Sequence, residues 1–221
     1  MNHRLPFFAL FLLVLAGCEE DDPRDIFDVV YEVRFETDWS ATTFPGAFPS
    51  NAHFSPLVGM SHRPNAFVFD TGLPASDGLR IVAETGATGE MEDELQKAVN
   101  EGLGLDLFTG PDVDAPGSGT VLVGVGERFP TVTLLTMIAP SPDWFVAARA
   151  TLLTPDAQWY DEVTVQIDAY DAGTDSGSDF TSSDQPTNPV GTVEPITDGP
   201  LVSPGDSVVR DLGRVVFTRV Q

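Results

Sequence analysis

Proline or glycine interrupts this chain so often that long helices have almost nowhere to form: 18 Pro and 20 Gly are scattered through 221 residues. What lies between the breaks alternates. Val29, Tyr31, Val33 and Phe35 fall on one side of a strand, and Glu32, Arg34 and Glu36 on the other, with Val30 the exception. Val163, Val165, Ile167 and Ala169 alternate in the same way with Thr164, Gln166 and Asp168. Further β-rich runs are read at 66–69, 79–83, 120–126, 131–138, 144–153 and 213–220, with 190–196 an edge segment limited by its prolines. Residues 104–119 read as a loop. One helix is expected between Thr88 and Gly102, where Met91, Leu95, Ala98 and Val99 form an i, i+4, i+7, i+8 stripe. Many short strands with one short helix predict an all-β fold, an antiparallel β-sandwich. The length suits one domain with a real core.

The N-terminus reads as a signal for export over residues 1–17. Arg4 gives the positive start, and the apolar run Leu5–Leu15 is too short to span a bilayer as a stable helix. The run ends in Leu15-Ala-Gly-Cys18, which looks like a bacterial lipobox and makes Cys18 the expected lipid-attachment residue. Several acyl chains on Cys18 would anchor the protein stably where one chain is marginal. An ordinary secretory signal with an incidental cysteine is the competing reading. Residues 18–26 form an acidic tether, and 27–221 the expected folded domain. These features place the protein at the cell envelope, periplasmic or surface-exposed, touching the membrane through the lipid anchor only. Cys18 is the sole cysteine, so no disulfide forms within the chain and no Cys-based zinc site exists.

Thirty-four acidic side chains against 11 basic ones leave a net charge of −23. Such a chain repels phosphates, so nucleic acid is not an expected partner. Anionic membrane surfaces are disfavoured for the same reason. The acidity either attracts cations and basic partners or simply maintains solubility.

Acidic residues are concentrated after the run that ends at Tyr170. Asp171, Asp175 and Asp179 recur every four residues, with Gly173 and Gly177 between them. This composition suits an exposed turn. It equally suits Ca2+, a hard cation that takes about 6–8 oxygen ligands, with glycines letting carbonyls turn inward. An EF-hand starting at Asp171 fails, because its third, sixth and twelfth positions hold Gly173, Ser176 and Ser182. Upstream, the segment Ala139–Val146 carries Asp143 into an apolar run.

Together, Ser141-Pro-Asp-Trp144 and Asp171-Ala-Gly-Thr-Asp-Ser-Gly177 resemble motifs of the spondin N-terminal domain, a module of F-spondin-like matrix proteins that also occurs in bacterial lipoproteins. Trp39-Ser40, His53-Phe-Ser-Pro56, Ser61-His62, Ala75-Ser-Asp-Gly-Leu79 and Ala83-Glu-Thr-Gly86 agree in the same order. The resemblance runs from about Tyr31 to the C-terminus. It implies a C2-like β-sandwich with one calcium ion held between loops. Carried over by motif, the metal ligands are Asp143, Asp171 and Asp175, with Asp179 a possible outer-shell charge. Two departures stand out: Ala147 replaces a usual glycine, and the cysteines of the animal domains are missing. The implied role is adhesion or recognition, with an extracellular protein or a glycan as partner.

Other constellations are weaker. His53, His62 and Glu84 suggest zinc or, more simply, loop histidines bonded to backbone. Asp106, Asp112 and Asp114 suggest a second cation. Gly59-Met-Ser-His-Arg63 misses the G-x-S-x-G pattern at its last position, and no enzyme is expected. Two alternatives remain: an envelope hydrolase acting on polysaccharide, and a carbohydrate-binding module using Trp39 or Trp159 as a platform.

Overall fold

The computed structural model describes residues 27–45, 48–203, 205 and 207–221. The expected signal segment 1–17, the tether 18–26 and the lipid site Cys18 lie outside these residues.

Among the described residues, twelve strands and two helices follow one another: β1 Val29–Thr37, β2 His53–Phe54, β3 Val58–His62, α1 Asp77–Thr85, α2 Gly89–Asn100, β4 Gly104–Thr109, β5 Val113–Asp114, β6 Gly117–Val125, β7 Thr131–Ala139, β8 Trp144–Thr151, β9 Glu162–Gln166, β10 Asp168–Asp171, β11 Glu194–Pro195 and β12 Gly213–Arg219. A four-stranded antiparallel sheet has the order β6-β1-β12-β9. An eight-stranded sheet runs β11-β10-β8-β7-β2-β5, with β3 joining β7 to β4. The two sheets pack face to face, as the alternation predicts.

β1 shows why. Its odd positions, Tyr31, Val33 and Phe35, are fully buried, while Arg34 faces water. They meet Val215 and Phe217 of β12, Val123 of β6, and Leu134 and Val146 from the opposite sheet in one apolar cluster. Each such side chain contributes roughly 1.5–3 kcal/mol on burial. β7 is buried at every position. One face of it looks into the sandwich through Val132 and Leu134, and Leu135 looks outward onto a second cluster with Leu79, Val82, Met91 and Leu95 of the helices. The helices therefore form a third layer over the larger sheet.

Several local expectations are corrected. Residues 79–83, expected as a strand, form α1. The Ser76 hydroxyl accepts from the Leu79 amide at 3.1 Å, and Glu94 of α2 accepts from the Gly78 amide at 2.8 Å, which caps the helix. Leu79, Val82 and Ala83 then share its buried face, so the expected single helix becomes a pair. Residues 66–69 form no strand but an irregular segment. The expected loop 104–119 contains β4 and β5. The alternating run 163–170 divides: β9 pairs with β12 in one sheet and β10 with β8 in the other.

His62 occupies the outer core with none of its surface exposed. Its Nδ1 donates to the Arg63 carbonyl at 2.8 Å, so Nε2 accepts from the Thr133 hydroxyl at 2.8 Å. Both nitrogens are occupied in the neutral form, and burial holds the imidazole below its usual range. A depressed folded-state value means stability that is present above the unfolded value of about 6.5 and lost as pH falls through the folded one. Between about pH 8 and pH 5, the wild type should lose more urea stability than His62→Gln does. Parallel losses would show that His62 does not titrate on unfolding.

Candidate metal centre

The loop before β8 and the loop after β10 are bonded side by side. Trp144 pairs with Asp171 across the two strands, and the Ala172 amide donates to the Asp143 carbonyl at 3.1 Å. The Ser141 hydroxyl accepts from the Trp144 amide at 3.1 Å and tightens the turn that carries Asp143.

Asp143 is completely buried. Its Oδ2 accepts from the Thr174 amide at 2.7 Å, the Asp175 amide at 3.0 Å and the Thr174 hydroxyl at 3.2 Å. Its Oδ1 has no partner among the described residues. Burial and the neighbouring Asp171 carboxylate push its carboxyl up to about 6 despite those three bonds. Asp171 accepts from the Gly173 amide at 2.7 Å, and its carboxyl is raised by burial and by the charges of Asp175 and Asp198. Asp175 is buried, with Oδ1 accepting from the Gly177 amide at 2.6 Å and Oδ2 from the Gln185 amide at 2.5 Å.

Gly173 is what lets the second loop turn. Its φ is +74°, and a Cβ there would meet the Thr192 carbonyl oxygen at 2.6 Å. Beyond the loop opens a cavity of about 550 Å³ whose walls include Trp144, Asp171, Asp175, Glu194 and Asp198, and no Lys, Arg or His.

All three residues proposed from the motifs therefore share one loop pair. They do not form a finished ligand cage: among the described residues, no three His, Cys, Asp or Glu side chains are gathered around one point. Asp175 shows one reason, since both its oxygens are turned to backbone amides. What does fit a cation is the set of hard oxygen donors, and above all the orphaned Oδ1 of Asp143. A buried carboxylate oxygen without a partner costs free energy that a divalent ion offsets. Asp179 accepts from its neighbour Phe180 at 2.7 Å and is absent from the cavity wall. Asp198 and Glu194, by contrast, line the cavity and were missed. Asp198 sits in a Thr-Asp-Gly-Pro stretch that reads simply as a turn.

The remaining constellations come apart. His53 is bonded through Nδ1 to the Asn51 carbonyl, and Glu84 is paired with Arg80 at 3.1 Å, so neither joins His62. The Ser61 hydroxyl donates to the Gly124 carbonyl at 2.7 Å, away from its neighbour His62. Asp106 holds the Gly124 amide at 2.7 Å, while Asp114 is exposed on β5. Trp39 is wholly buried and offers no platform; Trp159 is partly buried against the core.

A two-sheet antiparallel sandwich with an acid-lined loop pair at one end defines the class of protein. The Spondin_N family model matches residues 29–205, and the chain belongs to that family. It is 31% identical to Spondin-1 of Gallus gallus over 202 residues, covering 86% of this chain and 25% of that protein. It is 31% identical to Spondin-2 of Rattus norvegicus over 231 residues, covering 96% of this chain and 70% of that protein. Against Spondin-2 of Homo sapiens the identity is 32% over 183 residues, 80% and 55% respectively. The chain thus spans about a quarter of the length of the Spondin-1 relatives it matches. Among the described residues, no helix is long and apolar enough to cross a membrane.

Proposed function

We propose that this protein is a calcium-binding recognition domain of a bacterial cell envelope, held to the membrane by lipid on Cys18 and used for adhesion to an extracellular protein or glycan. Calcium is the cofactor in this reading, and Asp143, Asp171 and Asp175 hold it. The observation that supports it best is the unpartnered oxygen of fully buried Asp143, beside Asp171. Backbone carbonyls and waters would complete the set of oxygens that calcium takes. The ion supplies positive charge where burial and neighbouring carboxylates raise two carboxyls, Asp143 beside Asp171 and Asp171 beside Asp175 and Asp198, and it pins the loop before β8 to the loop after β10. Basic groups on a partner would then meet the acidic rim at Glu194 and Asp198.

The affinity expected is that of extracellular modules, ~10⁻⁴–10⁻³ M. At ~100 times the dissociation constant, calcium adds roughly 2.7 kcal/mol of stability. Thermal melts with calcium and with chelator should therefore separate by several degrees, and Asp171→Asn should close the gap. Superimposable wild-type melts would refute the reading. A hydrolase built on His53, His62 and Glu84 is the less favoured reading, because His62 is wholly buried and Glu84 is paired with Arg80.

A further inference from the structure

A second cavity, of about 500 Å³, opens on the outer face of the larger sheet, between residues 67–71 and strands β8, β9 and β10. Aromatic rings and polar groups share its walls: Phe67, Phe69 and Tyr170 with Arg149, Asp168 and Thr133. The aromatic side is firmly built. Phe69 stands edge-on to Tyr170 at 5.1 Å and to Phe145 at 5.2 Å, and Phe145 stacks on Tyr170 at 5.3 Å. Arg149 lies over the Phe67 ring at 4.7 Å and donates to the Pro64 carbonyl at 2.6 Å; burial holds its guanidinium below the usual range, and the charge of Asp70 acts the other way.

Asp168 is different. It sits opposite Ala147 across β8 and β10, one diagonal step from Arg149 on the same face. Yet no ion pair joins the two, and among the described residues the Asp168 carboxylate accepts no hydrogen bond. Asp168 is exposed in the wall of the cavity, where its carboxylate is open to a ligand, and partial desolvation by that wall raises its carboxyl.

On a chain of net charge −23 this cavity is close to neutral, with Arg149 set against Asp70 and Asp168. A cation meets Arg149 there, and an anion meets Asp168. The complementary ligand is uncharged, carries hydroxyls on neighbouring carbons and has an apolar face. One hydroxyl donates to Asp168, another accepts from Arg149, and C–H groups lie against Phe67. A pyranose ring has this chemistry, and the volume falls in the usual range for small-ligand sites, roughly 300–1,000 Å³. We propose that this cavity binds a saccharide unit. The proposal rests on the glycan arm of the function proposed above and names its site, which lies apart from the calcium loops.

The test is titration of isotope-labelled full chain with cellohexaose, maltohexaose and chitohexaose, and with free glutamine as a zwitterion of similar polarity. Saturable amide shifts confined to residues 67–71, 147–149 and 166–170 are expected with at least one saccharide. Asp168→Ala should weaken that binding about tenfold or more, with the melting midpoint unchanged, and Asp171→Asn should leave it intact. Saccharides that produce no saturable shift, shifts elsewhere, wild-type affinity in Asp168→Ala, or binding of glutamine in their place would each overturn the proposal.

Discussion

Asp143→Asn should have opposite effects with and without calcium. In the wild type at neutral pH, a fully buried carboxylate carries an unpartnered oxygen next to Asp171. Asn keeps an acceptor for the Thr174 and Asp175 amides, fills the same space and removes the charge. In chelator, Asp143→Asn should therefore be at least as stable as wild type, by up to about 1–3 kcal/mol. With saturating calcium the order should invert, because the variant loses the roughly 2.7 kcal/mol that the ion adds. Paired urea titrations in calcium and in chelator measure both terms. A variant less stable than wild type in chelator would mean that Asp143 acts through its hydrogen bonds alone. A variant that still responds to calcium would move the ion elsewhere.

Gly59→Val should prevent folding. Gly59 lies in β3 between β4 and β7, paired with Phe108 and Leu134. A Cβ there would stand 2.2 Å from the Thr133 carbonyl oxygen and 2.9 Å from the Leu134 Cα. Both are backbone atoms of β7, which is buried at every position, so nothing can swing aside. Even Gly59→Ala should cost about 3 kcal/mol or more, against a total stability of about 5–15 kcal/mol for a typical domain. Gly89 supplies the control. It begins α2 with open space around its Cβ direction, so Gly89→Ala should be neutral or mildly stabilising. Soluble yield and denaturant midpoints of the three variants check the contrast, and an undisturbed Gly59→Ala would contradict the described approach of β3 to β7.

The sequence was most informative where one physical demand dominated. β1, β7, β8 and β12 were readable because each must bury apolar side chains against the opposite sheet. α1 was misread because Leu79, Val82 and Ala83 fit a short strand as well as one helical face. The deciding Ser76 and Glu94 caps depend on a contact with a second helix. The division between β9 and β10 was invisible for another reason. Alternation reports which face a side chain takes, and that continues through Ile167 while the backbone changes sheets. At the candidate site, motif order brought Asp143, Asp171 and Asp175 to one place. It said nothing of how far backbone amides already occupy Asp175, or of Asp198 on the cavity wall, because both follow from loop paths rather than residue types.

β1 and β12 lie antiparallel along their length, and the Val30 amide reaches the Gln221 carbonyl. The first and last described residues thus leave from one pole of the sandwich. Thr37 and Gly213 mark the other pole, where Ile167 leads into β10 and on to Asp171. Nine strand residues separate the poles, roughly 30 Å. Any attachment ahead of Val29 therefore works like the foot of a mast, with the acidic loops carried outward at the masthead and facing whatever approaches from beyond.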